Sequence, residues 1–386
     1  MNLCIITPEL VDPIKGGVYR VCSLLKNSIE ARGKKVINCH FGGTAYESSK
    51  KVARETYYIE GASFEEKLQN FCAITRSYNI DIVWNHSHVW EHHELCCRLR
   101  DMIGCKLVSV IHTDPLSSIK SMVDVRDYYF VNKMWWSWIL SLIKYFPGLY
   151  LRYKRVRFVM KSKYDESDAI VLLSSGYKKS VTKLLGSKNT SKLHVIPNPI
   201  LAASDVCIEK RNNRVLFVGR LVWQKRLDRV LQVWNIIEPR FDNWELLIVG
   251  DGEMKKLYER LAKTYRLKQV RFLGECDSSA LYKTADIVCL SSTFEGLPMV
   301  ILEAQINGCV PVLYNSFSAA EDIVDDEKSG YLISPFDKKM YANRLISLME
   351  DRCLRARMSA ASRIKAQQFD IDIIVNKWLI FFRELY

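Results

Sequence analysis

Glu295, Gly296 and Pro298 follow directly on an apolar run, residues 286–290, that reads as a strand. Pro298 suits the first turn of a helix and Gly308 suits its end, so the pattern predicts strand, turn and helix as far as about residue 307. Gly296, Leu297, Pro298, Met299 and Val300 then form the turn and the helix start, where backbone amides favour an anion. Nearly every position from 299 to 306 is apolar, which predicts a helix buried on most sides with Glu303 in its middle. A lone carboxylate there is costly, so Glu303 calls for a hydroxyl or cationic partner. Such an arrangement suits a phosphorylated, hydroxyl-rich ligand. The competing reading is a core helix whose glutamate meets an internal arginine.

A second stretch, GRLVWQKRLD at 219–228, places Arg220 at a strand end and Lys225 just before a helix. A guanidinium and an ammonium near a helix start make a natural diphosphate clamp, able to offset charge building on a departing nucleotide. Gly16 and Gly17 follow the first strand and let backbone come close to a ligand. They do not form the dinucleotide fingerprint, and no acid ends the second strand. Gly250, in Gly250-Asp251-Gly252, reads as part of a tight turn shaping the rim of a pocket. His112 ends the run KLVSVI and could bind a sugar hydroxyl, or could simply bond backbone. His86, His88, His92 and His93 lack ligand-like spacing with a carboxylate or thiol, so acceptor contacts or plain surface suit them better than a metal. Asp370 and Asp372 resemble a metal-binding D-x-D but stand at a helix start, where acids serve as caps.

Alternating strand-like and helix-like segments position these groups. Strands are predicted at 3–7, 35–39, 80–84, 106–111, 169–173 and 193–196, then at 214–218, 244–249, 270–273, 286–290 and 310–313. Pro197-Asn198-Pro199 breaks that rhythm and opens a linker-like stretch to residue 213. The expected organisation is an N-terminal domain, 1–198, supplemented by a closing helix at 370–386, and a C-terminal domain, 199–369. The fold class is α/β with parallel sheets. Gly17, His112, Arg220 and Glu295 all lie just past the carboxyl ends of strands, where open α/β sheets bind ligands.

The 386 residues, 48% of them hydrophobic, suffice for two such domains. The 12 cysteines are scattered without a C-x-x-C pair, as expected of reduced, buried thiols in the cytoplasm. The opening residues lack signal-peptide features and read as a buried strand. A formal charge of +13 favours anionic partners. The segment 134–163 joins Trp135, Trp136 and Trp138 to a basic run and is too interrupted to span a bilayer. It suits an element lying on an anionic membrane surface, with a buried helical hairpin as the alternative. Nucleic acid is not expected as a partner.

GGVYRV, IHTDP, VIPNPI, VGRLVWQKRLD, IVGDGE, FLGE and FEGLPMVILEAQINGCVPV together resemble glycosyltransferase family 4. That resemblance implies the GT-B fold of two facing Rossmann-like domains with a cleft between them. It implies transfer of a sugar from a nucleotide donor with retained configuration and no metal. It also implies that Glu295 contacts the donor sugar and Glu303 the ribose, with amides of residues 296–300 on sugar and phosphate. Arg220 and Lys225 would hold the diphosphate, and His112 the sugar hydroxyls. Arg226 departs from the small residue that many relatives carry after the lysine.

The expected protein is thus a retaining hexosyltransferase at the inner membrane face, using a UDP-hexose or UDP-N-acetylhexosamine. A lipid-linked saccharide of a surface polysaccharide or lipopolysaccharide would be the acceptor. A sugar-nucleotide epimerase of the same fold, or a non-catalytic membrane-associated partner protein, are the rival readings.

Overall fold

The computed structural model describes residues 1–10, 17–42, 55–117, 119, 135–187, 189–201 and 212–385, the stretch 135–147 by its backbone alone. Gly16, the side chains of Trp135, Trp136 and Trp138, and most of the linker-like stretch lie outside the described residues. The chain divides into two compact units. One holds Met1–Leu116, Pro147–Pro199 and Ile371–Tyr386; the other holds Ser117–Phe146 and Ile200–Asp370.

The first unit is built on a parallel sheet of β1 (Asn2–Thr7), β2 (Lys35–His40), β3 (Thr56–Tyr58), β4 (Ile82–Asn85), β5 (Lys106–Ile111), β6 (Ala169–Leu172) and β7 (Leu193–Val195). Their spatial order is β3-β2-β1-β4-β5-β6-β7. Leu3, Cys4, Ile5 and Ile6 are all buried, so successive side chains on both faces of β1 are covered. That explains the continuous apolar run in place of alternation. The final helix, Ile371–Glu384, packs on this unit. Its Trp378 ring lies 4.3 Å from Trp84 of β4, and Phe382 lies 5.2 Å from the same indole. Asp372, in the first turn, pairs with Arg32.

The second unit holds β8 (Arg214–Val218), β9 (Glu245–Val249), β10 (Val270–Gly274), β11 (Ile287–Leu290), β12 (Val310–Tyr314) and β13 (Tyr331–Ile333), in the order β10-β9-β8-β11-β12-β13. All its neighbouring strands are parallel. The helix Met299–Ile306 connects β11 to β12. Gly308 adopts φ 82° beyond its end, its amide bonding Gln305 and that of Cys309 bonding Ala304, at 2.8 and 2.9 Å. This double closure is the stop that a glycine there supplies. The strands β3 and β13 went unread in the sequence. Each has three residues and stands at a sheet edge, too short a run to display a period.

Candidate active site

In the second sheet the strand order reverses between β8 and β11, which lie side by side. Loops leaving the carboxyl ends of such a pair diverge and open a crevice. The loop after β8 carries Gly219 and Arg220 into a short 3₁₀ turn, Trp223–Lys225, and then the helix Leu227–Ile237. The loop after β11 carries Ser291 to Glu295. Hydrogen bonds join the two: Gln224 Nε2 to the Phe294 carbonyl at 2.7 Å, and the Thr293 amide to the Gln224 carbonyl at 3.0 Å. Ser291 Oγ donates to the carbonyls of Lys225 and Arg226 at 2.9 and 2.8 Å.

That stitching sets Lys225 and Glu295 face to face. Lys225 Nζ donates to Glu295 Oε1 at 2.7 Å, the side chains being 15% and 8% exposed. Both charges are largely removed from water, so each depends on the other. Arg220 is exposed on the same loop, and its side chain has no hydrogen-bond or ion-pair partner among the described residues. Its guanidinium is available to an incoming anion. Arg226 adopts φ 49°, a backbone conformation that suits glycine. Its side chain pairs with Asp228 at 3.0 Å and lies 4.2 Å over the Trp223 ring, so it is tied back to its own loop.

Gly250 follows β9 at φ 131°, and a Cβ there would come within 2.0 Å of the Gly219 carbonyl oxygen. The Leu221 amide bonds the Asp251 carbonyl at 2.7 Å, and the Met254 amide bonds the Leu221 carbonyl at 2.9 Å. This glycine turn therefore braces the Arg220 loop from behind. Leu297 and Pro298 are buried, and Pro298 immediately precedes the helix at φ −73°. Gly296, Met299 and Val300 are half-buried beside them, and Glu303 is half-buried one turn on. Ile301, Leu302, Ala304, Gln305 and Ile306 face the interior.

In the first unit Gly17 opens the helix Gly17–Glu30, exposed, with open space where a Cβ would project. His112 stands past β5, half-buried. Its Nε2 lies 3.0 Å from Nδ1 of His86. Burial, then Lys163 and His88, push the His112 imidazole down to about 4, so it is neutral near pH 7. Asp114, two residues on, accepts from the Leu116 amide and Ser180 Oγ, both at 2.9 Å, which pins the loop carrying His112.

The other histidines are mostly interior. His92 stacks on Phe41 at 4.3 Å and bonds Ser87 Oγ at 2.8 Å, whereas His88 is exposed. His93 bonds Glu166 at 3.1 Å, with Cys97 Sγ 3.6 Å from the imidazole. The thiol stands four residues on along the same helix, a spacing that went unread in the sequence, whereas Glu166 lies 73 residues away and left no sign. Burial, Lys163 and Arg100 push His93 down to about 3, outweighing the single carboxylate. Those two cations also oppose an added metal ion, and burial and Glu166 keep the Cys97 thiol protonated, up at about 12. We read the trio as a hydrogen-bonded joint between the helices Trp90–Ile103 and Trp135–Glu166.

Residues 204–365, which include the Arg220 loop and the Glu295 helix, match the family described as "Glycosyl transferases group 1". That part of the chain resembles the group 1 glycosyltransferases. Among similar proteins is the amylovoran biosynthesis glycosyltransferase AmsD of Erwinia amylovora, 27% identical over 56% of the chain and 62% of AmsD. Another is a Campylobacter jejuni enzyme named GalNAc-alpha-(1->4)-GalNAc-alpha-(1->3)-diNAcBac-PP-undecaprenol alpha-1,4-N-acetyl-D-galactosaminyltransferase, 26% identical over 60% of the chain and 64% of the enzyme. The match thus spans somewhat under two thirds of each relative. The structure of Anabaena Alr3699/HepE in complex with UDP is similar over the whole of both chains, with a TM-score of 0.75 at 16% identity. The fold is accordingly GT-B, with two Rossmann-like parallel-sheet domains.

Proposed function

We propose that this protein transfers a hexose or N-acetylhexosamine from a UDP-linked donor to a lipid-linked saccharide, building a surface polysaccharide or lipopolysaccharide. The observation that carries this reading is the Lys225–Glu295 contact, which joins the loops on either side of the strand-order reversal. Support comes from the names of the two relatives and from the UDP held by the Anabaena protein. In this reading the second unit takes the nucleotide sugar and the first takes the acceptor.

Arg220 and Lys225 meet the diphosphate, with the amides at the start of the Met299–Ile306 helix adding to the positive field. As the sugar–phosphate bond breaks, negative charge grows on the departing oxygen and these groups stabilise it. The acceptor hydroxyl attacks from the face the diphosphate leaves, so configuration is retained and no protein nucleophile is needed. Glu295 orients the donor sugar while holding Lys225 in place. Glu303 takes the ribose hydroxyls, and His112 takes sugar hydroxyls as a neutral hydrogen-bonding group. Gly17, with open space where a Cβ would project, leaves room for a ligand to approach. With the leaving charge met by side chains and amides, no metal ion is required.

The working location is the cytoplasmic face of the membrane. The helix Trp135–Glu166 exposes Tyr150, Leu151 and Phe158 among exposed Arg152, Lys154, Arg155, Arg157 and Lys161. Apolar groups set in positive charge suit an anionic lipid surface. No helix among the described residues is long and apolar enough to cross a membrane.

Donor turnover against a panel of nucleotide sugars tests the function. Because Arg220 is exposed and unpartnered, Arg220→Ala should leave the fold intact and reduce kcat/KM about 100-fold. Near-normal turnover in that variant rejects the assignment.

A further inference from the structure

His86 has no place in the mechanism above, yet it is one of the most enclosed polar groups of the first unit, 3% exposed just past the end of β4. Its amide extends the sheet by bonding the Ile6 carbonyl at 2.9 Å. Its ring lies 4.9 Å from Trp84, which is itself held by Trp378 and Phe382 of the final helix. The imidazole therefore has little freedom to turn. Among the described residues, the one polar contact it makes through its ring is the 3.0 Å approach of Nδ1 to Nε2 of His112. We propose that His86 is a positioning residue that donates from Nδ1 to His112 Nε2 and so fixes His112 as the tautomer bearing its proton on Nδ1. The inference rests on the role given to His112 above. There, the Nδ1–H of His112 becomes the donor offered to a sugar oxygen.

The direction of the bond follows from what each alternative leaves unpaired. Both rings are neutral: burial and the neighbouring His112 hold His86 well below the ordinary histidine range, and His112 titrates near 4. One nitrogen of the contact must then donate and the other accept. The remaining nitrogens, Nε2 of His86 and Nδ1 of His112, are both buried without a partner among the described residues. If His112 donated, the unpaired N–H would fall on Nε2 of His86, where enclosure denies it any later acceptor. If His86 donates, the unpaired N–H falls on Nδ1 of His112. That ring is half-buried at the strand's carboxyl end, where a ligand can relieve it. An N–H on a fully enclosed ring costs more than one on a half-buried residue at the strand end, close to solvent even before substrate arrives. Lys163 and His88 are the groups whose charge bears on His112, and both disfavour its protonation. They keep it neutral but do not select between its tautomers.

The test is nitrogen NMR of the histidine side chains in the full chain without substrate, His112 being assigned by the signal lost in His112→Asn. The expected wild-type spectrum shows His112 as the single Nδ1–H tautomer from pH 6 to 8, a window above the value of about 4. In His86→Phe both tautomers should appear, and kcat/KM for donor turnover should fall about tenfold, the worth of one neutral hydrogen bond. His86→Asn, which keeps an N–H close to the Nδ1 position, should restore both readouts. An Nε2–H tautomer in the wild type overturns the proposal, as does a His112 spectrum that His86→Phe leaves unchanged. A shifted tautomer with unaltered turnover overturns the positioning role. If the tautomers behave as expected while the wild type turns over no nucleotide sugar, the His86 bond stands and the transferase reading fails.

Discussion

Lys225 and Glu295 concentrate the local electrostatics of the second unit in one contact. Removing either partner strands a charge that is largely out of water, so Lys225→Met or Glu295→Ala should each destabilise the unit by about 3 kcal/mol. The double variant should lose clearly less than the sum, because neither charge is then left behind. Urea denaturation of the four proteins measures this, and additive losses would show that the pair is not coupled. The interior histidines make a second expectation. The folded values of about 4 for His92 and about 3 for His93 lie below the ordinary ~6.5. The unfolded chain therefore binds more protons between those limits. The stabilisation is complete above pH ~6.5 and is lost as pH falls toward 4, by up to ~1.4 kcal/mol per pH unit for each ring. A urea midpoint that does not drop between pH 7 and pH 5 would contradict it. Arg220, Lys225 and Glu295 were legible in sequence because charge, glycine and proline mark strand-to-helix turns. The His86–His112 contact was not, since it depends on β4 and β5 lying side by side.

At the scale of elements, the strand, turn and helix through Glu295 were readable because each boundary carries its own residue: an apolar run, Pro298, and Gly308. The reason for Gly250 was only half visible. A tight turn is written in Gly250-Asp251-Gly252, but the need for a missing Cβ comes from the Gly219 carbonyl on another loop. Gly250→Ala must push that loop aside and also strain φ 131°. It should lower stability by more than 2 kcal/mol, on the order expected of a forced clash, and weaken nucleotide binding with it. Gly17→Ala, at a helix start with open space around it, should leave Tm unchanged or slightly raised. Calorimetry of both separates the two kinds of glycine; equal Tm losses would count against this distinction. Arg226 was legible as a departure from its relatives, whereas its pairing with Asp228 and Trp223 became visible only once the turn was folded.

For the molecule as a whole, the formal charge of +13 is partly gathered on the helix Trp135–Glu166, whose exposed residues mix Leu151 and Phe158 with five cations. Vesicles containing anionic lipid should therefore sediment the protein, and salt should release it. Equal binding to neutral and anionic vesicles would reject the charge-driven part of that reading. The fold was readable from the repeated strand–helix rhythm and the break at Pro197-Asn198-Pro199. The acceptor was not, because apolar and basic residues alone specify a surface and not a sugar.

Isothermal titration of UDP and of GDP into the wild type and Arg220→Ala bears most directly on whether the two joined loops hold a nucleotide diphosphate. Saturable one-site heat with one nucleotide, lost or greatly weakened in the variant, is the expected result. No heat with either nucleotide, or the same affinity in both proteins, would contradict it.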